Sequence, residues 1–142
     1  MYEAIKPLHS YFAWAVLFVV AVSVILAGAA FISGQDTSNR KVALYSMIAA
    51  HTQLILGLIL FFVSPHGMGN LSAAAMKDPQ ARLLAVEHPL TNIIAIVLIT
   101  LGYSRAKRSV SNNGANRSIF IFYGIGLLML LSRIPWAAWL GL

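Results

Sequence analysis

The chain has 142 residues, of which 59% are hydrophobic and only 10% are charged, and its net charge is +6. A soluble domain usually carries about 25% charged residues, so this composition excludes a protein whose whole surface faces water. The absence of cysteine excludes disulfides, iron–sulfur clusters held by thiolates and covalent haem attachment of the c type.

Four apolar segments, taken in chain order, predict transmembrane helices. A helix needs roughly 20 apolar residues to cross a hydrocarbon core of about 30 Å, and residues 11–32 and 42–63 carry no charge. The third and fourth stretches, 89–103 and 118–132, are shorter and extend into neighbouring apolar residues. We therefore predict an all-α protein with a single integral membrane domain. It is expected to be a four-transmembrane-helix up-and-down bundle with spans at residues 9–33, 42–63, 80–104 and 118–139.

Glycine and proline mark where these helices begin and end. Gly34 is expected to end the first span. Asp78 followed by Pro79 predicts an N-cap and a proline at the first helical position, and so the start of the third span. Pro89 falls inside that helix and is expected to kink it, freeing a carbonyl about four residues back.

Basic residues are concentrated at one end of the predicted bundle. The loops after the first and third spans hold one acid, Asp36, and six basic residues: Arg40, Lys41, Arg105, Lys107, Arg108 and Arg117. The opposite side mixes four basic and three acidic residues: Lys6, Lys77, Arg82, Arg133, Glu3, Asp78 and Glu87. The positive-inside rule then predicts that both termini lie outside the cytoplasm and the two basic loops inside. This topology explains the net charge without a nucleic acid partner, and a lipid-headgroup patch at residues 105–108 is a further interpretation.

Three of the four predicted spans carry a histidine: His9, His51 and His88. An imidazole inside a membrane loses its hydration and needs a compensating partner, so each is a functional candidate. Counting inwards from the basic side at ~1.5 Å per residue places His88 and Arg133 ~22 Å deep and His51 ~13 Å deep. His9 lies at the outer end of its span, so the candidate site is expected in the outer half of the bilayer.

These histidines suit the axial positions of haem b, which takes two ligands on opposite faces of its iron. In an up-and-down bundle the first and third spans are diagonal neighbours, so His9 and His88 are expected to face each other and bind the iron. Gly126 lies seven residues before Arg133 and shares its helical face. A flat group is therefore expected to lie close to the fourth helix there, with Arg133 pairing a propionate.

His51 is a third candidate ligand with several interpretations. It can hydrogen-bond a quinone, or ligate together with His88 if the helices shift by about two turns. It can also belong to a second haem that is completed by a partner chain in a homo-oligomer. A purely structural role, in which its ring ties two helices together, is equally open.

The other candidates also have structural interpretations. His9 fits an aromatic belt at the membrane interface beside Tyr11 and Trp14. Arg133 fits an ion pair with Glu87, since an unpaired cation is costly at that depth.

Catalytic alternatives find little support. The chain has no Gly-rich phosphate loop, and its four acids are too scattered for a carboxylate-bridged di-iron site. A zinc site formed by His9, His66, His88 and Glu87 is acceptable by ligand type, but His66 falls in a loop. The residues therefore favour an electron-transfer protein over a catalyst with its own substrate.

Several short strings together resemble one family. They are His-Ser at residues 9–10, HTQL at 51–54, GLILFFVSP at 57–65, VEHPL at 86–90 and IPW at 134–136. Nearly the whole chain resembles a family of small bacterial membrane proteins labelled "cytochrome B". The resemblance implies a four-helix b-type cytochrome, with His9, His51 and His88 as the positions to inspect.

The function expected from the sequence is non-covalent binding of haem b and electron transfer near the outer face. The expected partners are the lipid bilayer and a quinone, another cytochrome or a larger respiratory complex. The alternative is a cofactor-free accessory or scaffold subunit, in which the histidines only tie helices together.

Overall fold

The computed structural model describes residues 1–141, which form helices and no strand within that range. The α-helices in chain order are α1 (Tyr2–Ser33), α2 (Arg40–Val63), α3 (Ala73–Lys77), α4 (Pro79–Arg82), α5 (His88–Arg108), α6 (Asn112–Ser132) and α7 (Trp136–Leu140). A 3-10 turn at Met68–Asn70 precedes α3, and a π-helical turn at Leu83–Glu87 joins α4 to α5.

Four of these segments are long and apolar enough to cross a membrane: Tyr2–Ser33, Arg40–Val63, Pro79–Arg108 and Asn112–Ser132. Each packs against the next along the chain, and the last packs against the first. The predicted all-α four-helix bundle is therefore confirmed, with α1 opposite α5 and α2 opposite α6. The N-terminus, His88 and Arg133 share one end, the histidine end, while the loops at 34–39 and 109–111 share the other, the basic end.

The centre of the bundle is built mainly from small side chains. Seven alanines are fully or almost fully buried where the long helices meet: Ala27, Ala30, Ala43, Ala50, Ala95, Ala106 and Ala115. Large apolar side chains point outwards instead, among them Phe18 at 69% and Leu128 at 69% exposure. Small residues between helices and large apolar residues outside are typical of helix packing in lipid, where close backbone approach replaces the hydrophobic effect.

Buried hydroxyls tie the helices together inside this core. Ser46 donates to the carbonyl of Val19 or Val42, both 2.8 Å away, and its Oγ lies 2.6 Å from that of Ser23. The fully buried Tyr123 hydroxyl donates to the carbonyl of Ala43 at 2.6 Å, joining α6 to α2 across the diagonal. These bonds fix the relative heights of the helices and therefore of the histidines they carry.

Two of the predicted helix boundaries are confirmed. Gly34 adopts the left-handed conformation (φ 71°) that ends α1, and the N–H of Gln35 donates back to the carbonyl of Ala30. Asp78 accepts the N–H of Ala81 at 2.7 Å and begins α4 with Pro79 at its first position.

The disturbance expected from Pro89 takes the form of a π-helical turn just before it. The N–H of His88 donates to the carbonyl of Leu83, five residues back instead of four. A proline offers no N–H and crowds the preceding turn, so the extra residue relieves the clash. This turn sets the direction in which the His88 side chain leaves the helix.

The fourth span is shorter than predicted. Its helix ends at Ser132 instead of continuing to residue 139, and Trp136–Leu140 forms a separate short helix. Pro135 explains the break, because proline disfavours helical geometry at the residue before it and supplies no N–H. The first span starts earlier than predicted, at Tyr2, so seven helical residues precede His9.

One arginine joins the two loops at the basic end. The Arg40 guanidinium donates to the carbonyls of Ala106 and Ser109, both at 2.9 Å, and to Asn112 Oδ1 at 2.6 Å. These acceptors lie at the end of α5, in the following loop and at the start of α6. Arg40 therefore connects α2 with the whole α5–α6 turn.

Candidate functional site

His9 and His88 lie together at the histidine end of the bundle. Their ring centres are 6.3 Å apart and their planes are nearly perpendicular, at 84°. The two residues come from α1 and α5, which face each other across the bundle diagonal. The up-and-down arrangement thus brings together the two imidazoles that the sequence singled out.

The His88 ring is oriented by hydrogen bonds on both of its nitrogens. Nδ1 lies 2.7 Å from the carbonyl oxygen of Arg133. Because a carbonyl can only accept, Nδ1 carries the proton and Nε2 keeps its lone pair. The side-chain amide of Asn92, one turn along α5, lies 3.1 Å from Nε2 and 3.2 Å from Nδ1, and because Nδ1 carries the proton only Nε2 can accept from it. An imidazole fixed through Nδ1–H to a backbone carbonyl is the arrangement that metal-binding histidines commonly have.

His9 is positioned by α2. Its carbonyl accepts the side-chain N–H of Gln53 at 2.8 Å. A Cβ at Gly57 would lie only 3.1 Å from Cε1 and 3.6 Å from Nδ1 of His9. The glycine therefore lets the imidazole rest directly against the backbone of α2, and Gln53, four residues earlier, lies on the same face.

Unsatisfied polar atoms accumulate around this pair. Within residues 1–141, the buried side-chain atoms that lack a hydrogen-bond partner are His9 Nδ1, Gln53 Oε1 and Asn92 Oδ1. All three belong to the residues that contact His9 or His88. A buried unpaired polar group costs about 1–3 kcal/mol, so these three atoms make the region around His9 and His88 the candidate site.

Charged residues surround the outer side of the histidine pair. Glu87 lies 2.8 Å from Arg82 Nε and 3.5 Å from Arg133 Nε. The Arg133 side chain is 49% exposed and that of Glu87 is 32% exposed. Arg133 therefore contributes its carbonyl to His88 while its guanidinium stays at the rim, as the ion-pair interpretation anticipates.

The space expected beside Gly126 is filled. A Cβ at Gly126 would lie 2.9 Å from Cγ1 of Ile99 and 3.2 Å from the carbonyl of Ala95. The glycine serves to bring α5 and α6 into direct contact, so the prediction that it leaves room for a flat group is wrong. At Gly57 the space beside the backbone is likewise filled, in this case by the His9 ring.

His51 lies away from the pair and bonds within the bundle. Its Nδ1 donates to the carbonyl of Met47 at 2.8 Å, and its Nε2 lies 3.4 Å from the hydroxyl of Thr100 on α5. Thr100 follows His88 by twelve residues, which is ~18 Å along the helix. The structure therefore places His51 between α2 and α5, bonded to its own helix and in contact with Thr100, whose hydroxyl donates to the carbonyl of Ile96.

The zinc alternative finds no support in the geometry. His66 is exposed in the turn after α2, where its N–H donates to Ser64 Oγ. In the described part of the chain, no group of three or more His, Cys, Asp or Glu side chains could hold a metal ion. Two imidazoles remain, which suffice for an iron that already has four porphyrin nitrogens.

Three residues of this site were not singled out from the sequence: Gln53, Gly57 and Asn92. Their spacing carried a usable signal. Asn92 follows His88 by four residues and Gly57 follows Gln53 by four, so each pair occupies one helical face.

Comparison with known proteins adds no relative: no family model matches the chain, and no curated protein or solved structure is similar to it.

Proposed function

We propose that this protein is a membrane b-type cytochrome in which His9 and His88 hold one haem b. The observation that carries the proposal is the spacing of these two rings. Two imidazoles that bind one metal through bonds of ~2.0 Å have ring centres ~6 Å apart. The observed 6.3 Å is close to this spacing.

The surroundings of the two rings fit ligation as well. His88 has its proton on Nδ1, held by the Arg133 carbonyl, which leaves Nε2 as the coordinating atom. Nε2 of His88 is therefore the atom that would hold an iron, in place of its contact with the Asn92 amide. Gly57 gives the His9 ring the room it needs against α2.

A bound haem b would supply an iron that gains and loses one electron. The positions of the two histidines indicate the side of the membrane on which it would lie. Both rings lie at the histidine end, which the positive-inside rule assigns to the outer side of a bacterial inner membrane. Arg133, at the rim of the site, is the proposed partner of a propionate, a role in which it exchanges its 3.5 Å contact with Glu87. A quinol, another cytochrome or a respiratory complex at that surface is the proposed redox partner.

A cofactor-free scaffold is the second candidate function. The bond from His51 to the Met47 carbonyl and its approach to Thr100 favour it, because they use this histidine as a helix tie. The bond from His88 to the Arg133 carbonyl similarly ties α5 to the end of α6. In this function the pair of rings would be a packing contact at the membrane surface.

The purified protein is expected to contain about one haem per chain, because within residues 1–141 one pair of histidines converges. A pyridine haemochrome assay measures the content, and a reduced-minus-oxidised spectrum should show the sharp α band of low-spin b haem. A preparation that is folded in detergent, colourless and unable to take up added haemin would refute the cytochrome and leave the scaffold. A content of two haems per chain would make His51 a candidate ligand of the second haem.

Gly57→Val is expected to weaken haem binding by about 10- to 100-fold, the range seen when a supporting contact of a metal ligand is lost. The added methyl groups would press on the His9 ring, since even a Cβ would lie 3.1 Å from it. Haem titration of the apoprotein measures the affinity. Gly124→Val is the matched control, because a Cβ there would meet only Val24 at 3.9 Å. Equal losses in both variants would show that Gly57 has no special relation to His9.

A further inference from the structure

An open cavity lies at the basic end between the last turns of α5 and the first turns of α6. Its volume is about 640 Å³, within the usual range for ligand sites. Three arginines from the two helices line it: Arg105, Arg108 and Arg117. Its floor includes the apolar side chains of Ile121 and Phe122.

Two of the three guanidinium groups, those of Arg105 and Arg108, are held in place without carboxylates. Arg105 lies over the ring of Phe122, with 5.5 Å from its Cζ to the ring centre. Arg108 donates to the carbonyl and the hydroxyl of Ser104 at 3.2 and 3.1 Å. Over residues 1–141, the salt bridges involve only Glu87, at the opposite end of the bundle. The cavity therefore presents concentrated positive charge that needs an anion.

An apolar groove adjoins this cavity on the outer surface of α6. It has a volume of about 480 Å³ and is lined by Val24 of α1 and by α6 side chains that include Ile121 and Leu128. Ile121 lines both the arginine cavity and the groove, so the two adjoin each other at this side chain. Gly124 keeps the groove open, because a Cβ there would contact only Val24, at 3.9 Å.

We infer that the arginine cavity and the adjoining groove bind one anionic phospholipid, with its phosphate among Arg105, Arg108 and Arg117 and an acyl chain along Gly124. Arginine is the residue best shaped for a phosphate, since its planar fork donates two parallel hydrogen bonds. A free phosphate would not need the groove. A phospholipid would use this apolar surface to hold an acyl chain beside its charged headgroup. This site is independent of the haem proposal, because it lies at the other end of the bundle.

Membrane topology alone does not explain this arrangement. The positive-inside rule requires only that basic residues occupy the loop, wherever they point. Lys107 and Lys41 satisfy the rule at the same end and are absent from the cavity lining. Convergence of three arginines from two helices on one cavity with an aromatic floor is an additional feature, and lipid binding accounts for it.

The test compares two lipids that differ only in headgroup charge. The full-length protein in a neutral detergent is titrated with dioleoyl phosphatidylglycerol or dioleoyl phosphatidylcholine, and bound lipid is followed by native mass spectrometry. The anionic lipid is expected to bind more tightly. Arg105→Gln combined with Arg117→Gln should weaken it by about 30-fold, because each basic residue beside an anionic headgroup contributes roughly fivefold. Lys41→Gln combined with Lys107→Gln removes the same charge at the same end and should leave the affinity within about threefold.

Two further arms decide between a lipid and a free anion. Gly124→Leu fills the groove without touching the arginines, and it should weaken binding of the dioleoyl lipid but not of a short-chain phosphatidylglycerol. Inorganic phosphate at millimolar concentration should not displace the dioleoyl lipid. Displacement by phosphate would show an anion site without lipid specificity. Equal binding of the two lipids, or equal losses in the two double variants, would overturn the inference.

Discussion

His88→Ala is expected to abolish stoichiometric haem binding. Loss of a supporting contact around a metal ligand already costs 10- to 100-fold in affinity, so loss of the ligand itself should cost more than about 100-fold. His9→Ala should have an effect of the same size, because the two rings form one pair with centres 6.3 Å apart. Haem content per chain and the low-spin band in the reduced spectrum are the measurements.

His51→Ala and His66→Ala are the matched controls for this prediction. His51 bonds to Met47 and lies beside Thr100, and His66 is exposed in a turn, so neither substitution should change the haem content. His51→Ala should still lower the thermal stability of the apoprotein slightly, because it removes an interhelical tie. The His51→Ala variant therefore distinguishes a structural histidine, whose loss lowers thermal stability, from a ligand, whose loss removes the haem.

Imidazole added to the His88→Ala protein distinguishes a lost ligand from a lost fold. A small imidazole can occupy the space left by the side chain and should restore a low-spin spectrum if the variant is folded. The size-exclusion profiles of the His88→Ala variant and of the unsubstituted protein should coincide. An unchanged low-spin spectrum in His88→Ala without added imidazole would remove His88 from the ligand pair and the proposed arrangement with it.

The fold was accessible from the sequence because each of its determinants is local. Charge-free stretches of span length predict the helices. Gly34 and Asp78 mark two of the helix ends through their own backbone and side-chain chemistry. Diagonal placement of the first and third spans follows when each span packs against the next along the chain, and it suffices to bring His9 near His88.

The supporting contacts of the site were less accessible, because they depend on how the helices are rotated about their axes. Gln53 and Gly57 turn towards His9 through the packing of α1 on α2, which is weakly specified by a bundle that is apolar on all sides. The use of the Arg133 carbonyl follows from the helix break before Pro135, whose effect on the end of α6 was underestimated. Gly126 likewise serves helix contact instead of a cofactor slot, since a missing side chain does not reveal what fills its space.

Arg40 shows the same limit at the basic end. In the sequence Arg40 is one of six basic residues whose positive charge predicts the orientation in the membrane. In the structure its guanidinium binds two carbonyls and an asparagine of the α5–α6 turn. Asn116, which is fully buried, reinforces this connection by donating to the carbonyl of Thr37 and accepting from Asn39.

Arg40→Gln is therefore expected to lower the free energy of unfolding by about 3 kcal/mol, since bonds from a charged donor contribute about 1.5–3 kcal/mol each and water replaces part of them. Unfolding of the purified protein by a denaturing detergent, followed by circular dichroism, measures the loss. Haem affinity should not change, because the histidine pair lies at the other end of the bundle.

Lys41→Gln is the control that separates geometry from charge. Lys41 is adjacent, exposed and equally charged, so its loss should change the free energy of unfolding by less than about 0.5 kcal/mol. Arg40→Lys should fall between the two, because an ammonium keeps the charge but cannot reach the carbonyls of Ala106 and Ser109 with one planar fork. If Arg40→Gln and Lys41→Gln lower the free energy of unfolding equally, Arg40 contributes only its positive charge. The α5–α6 turn would then be held by other contacts.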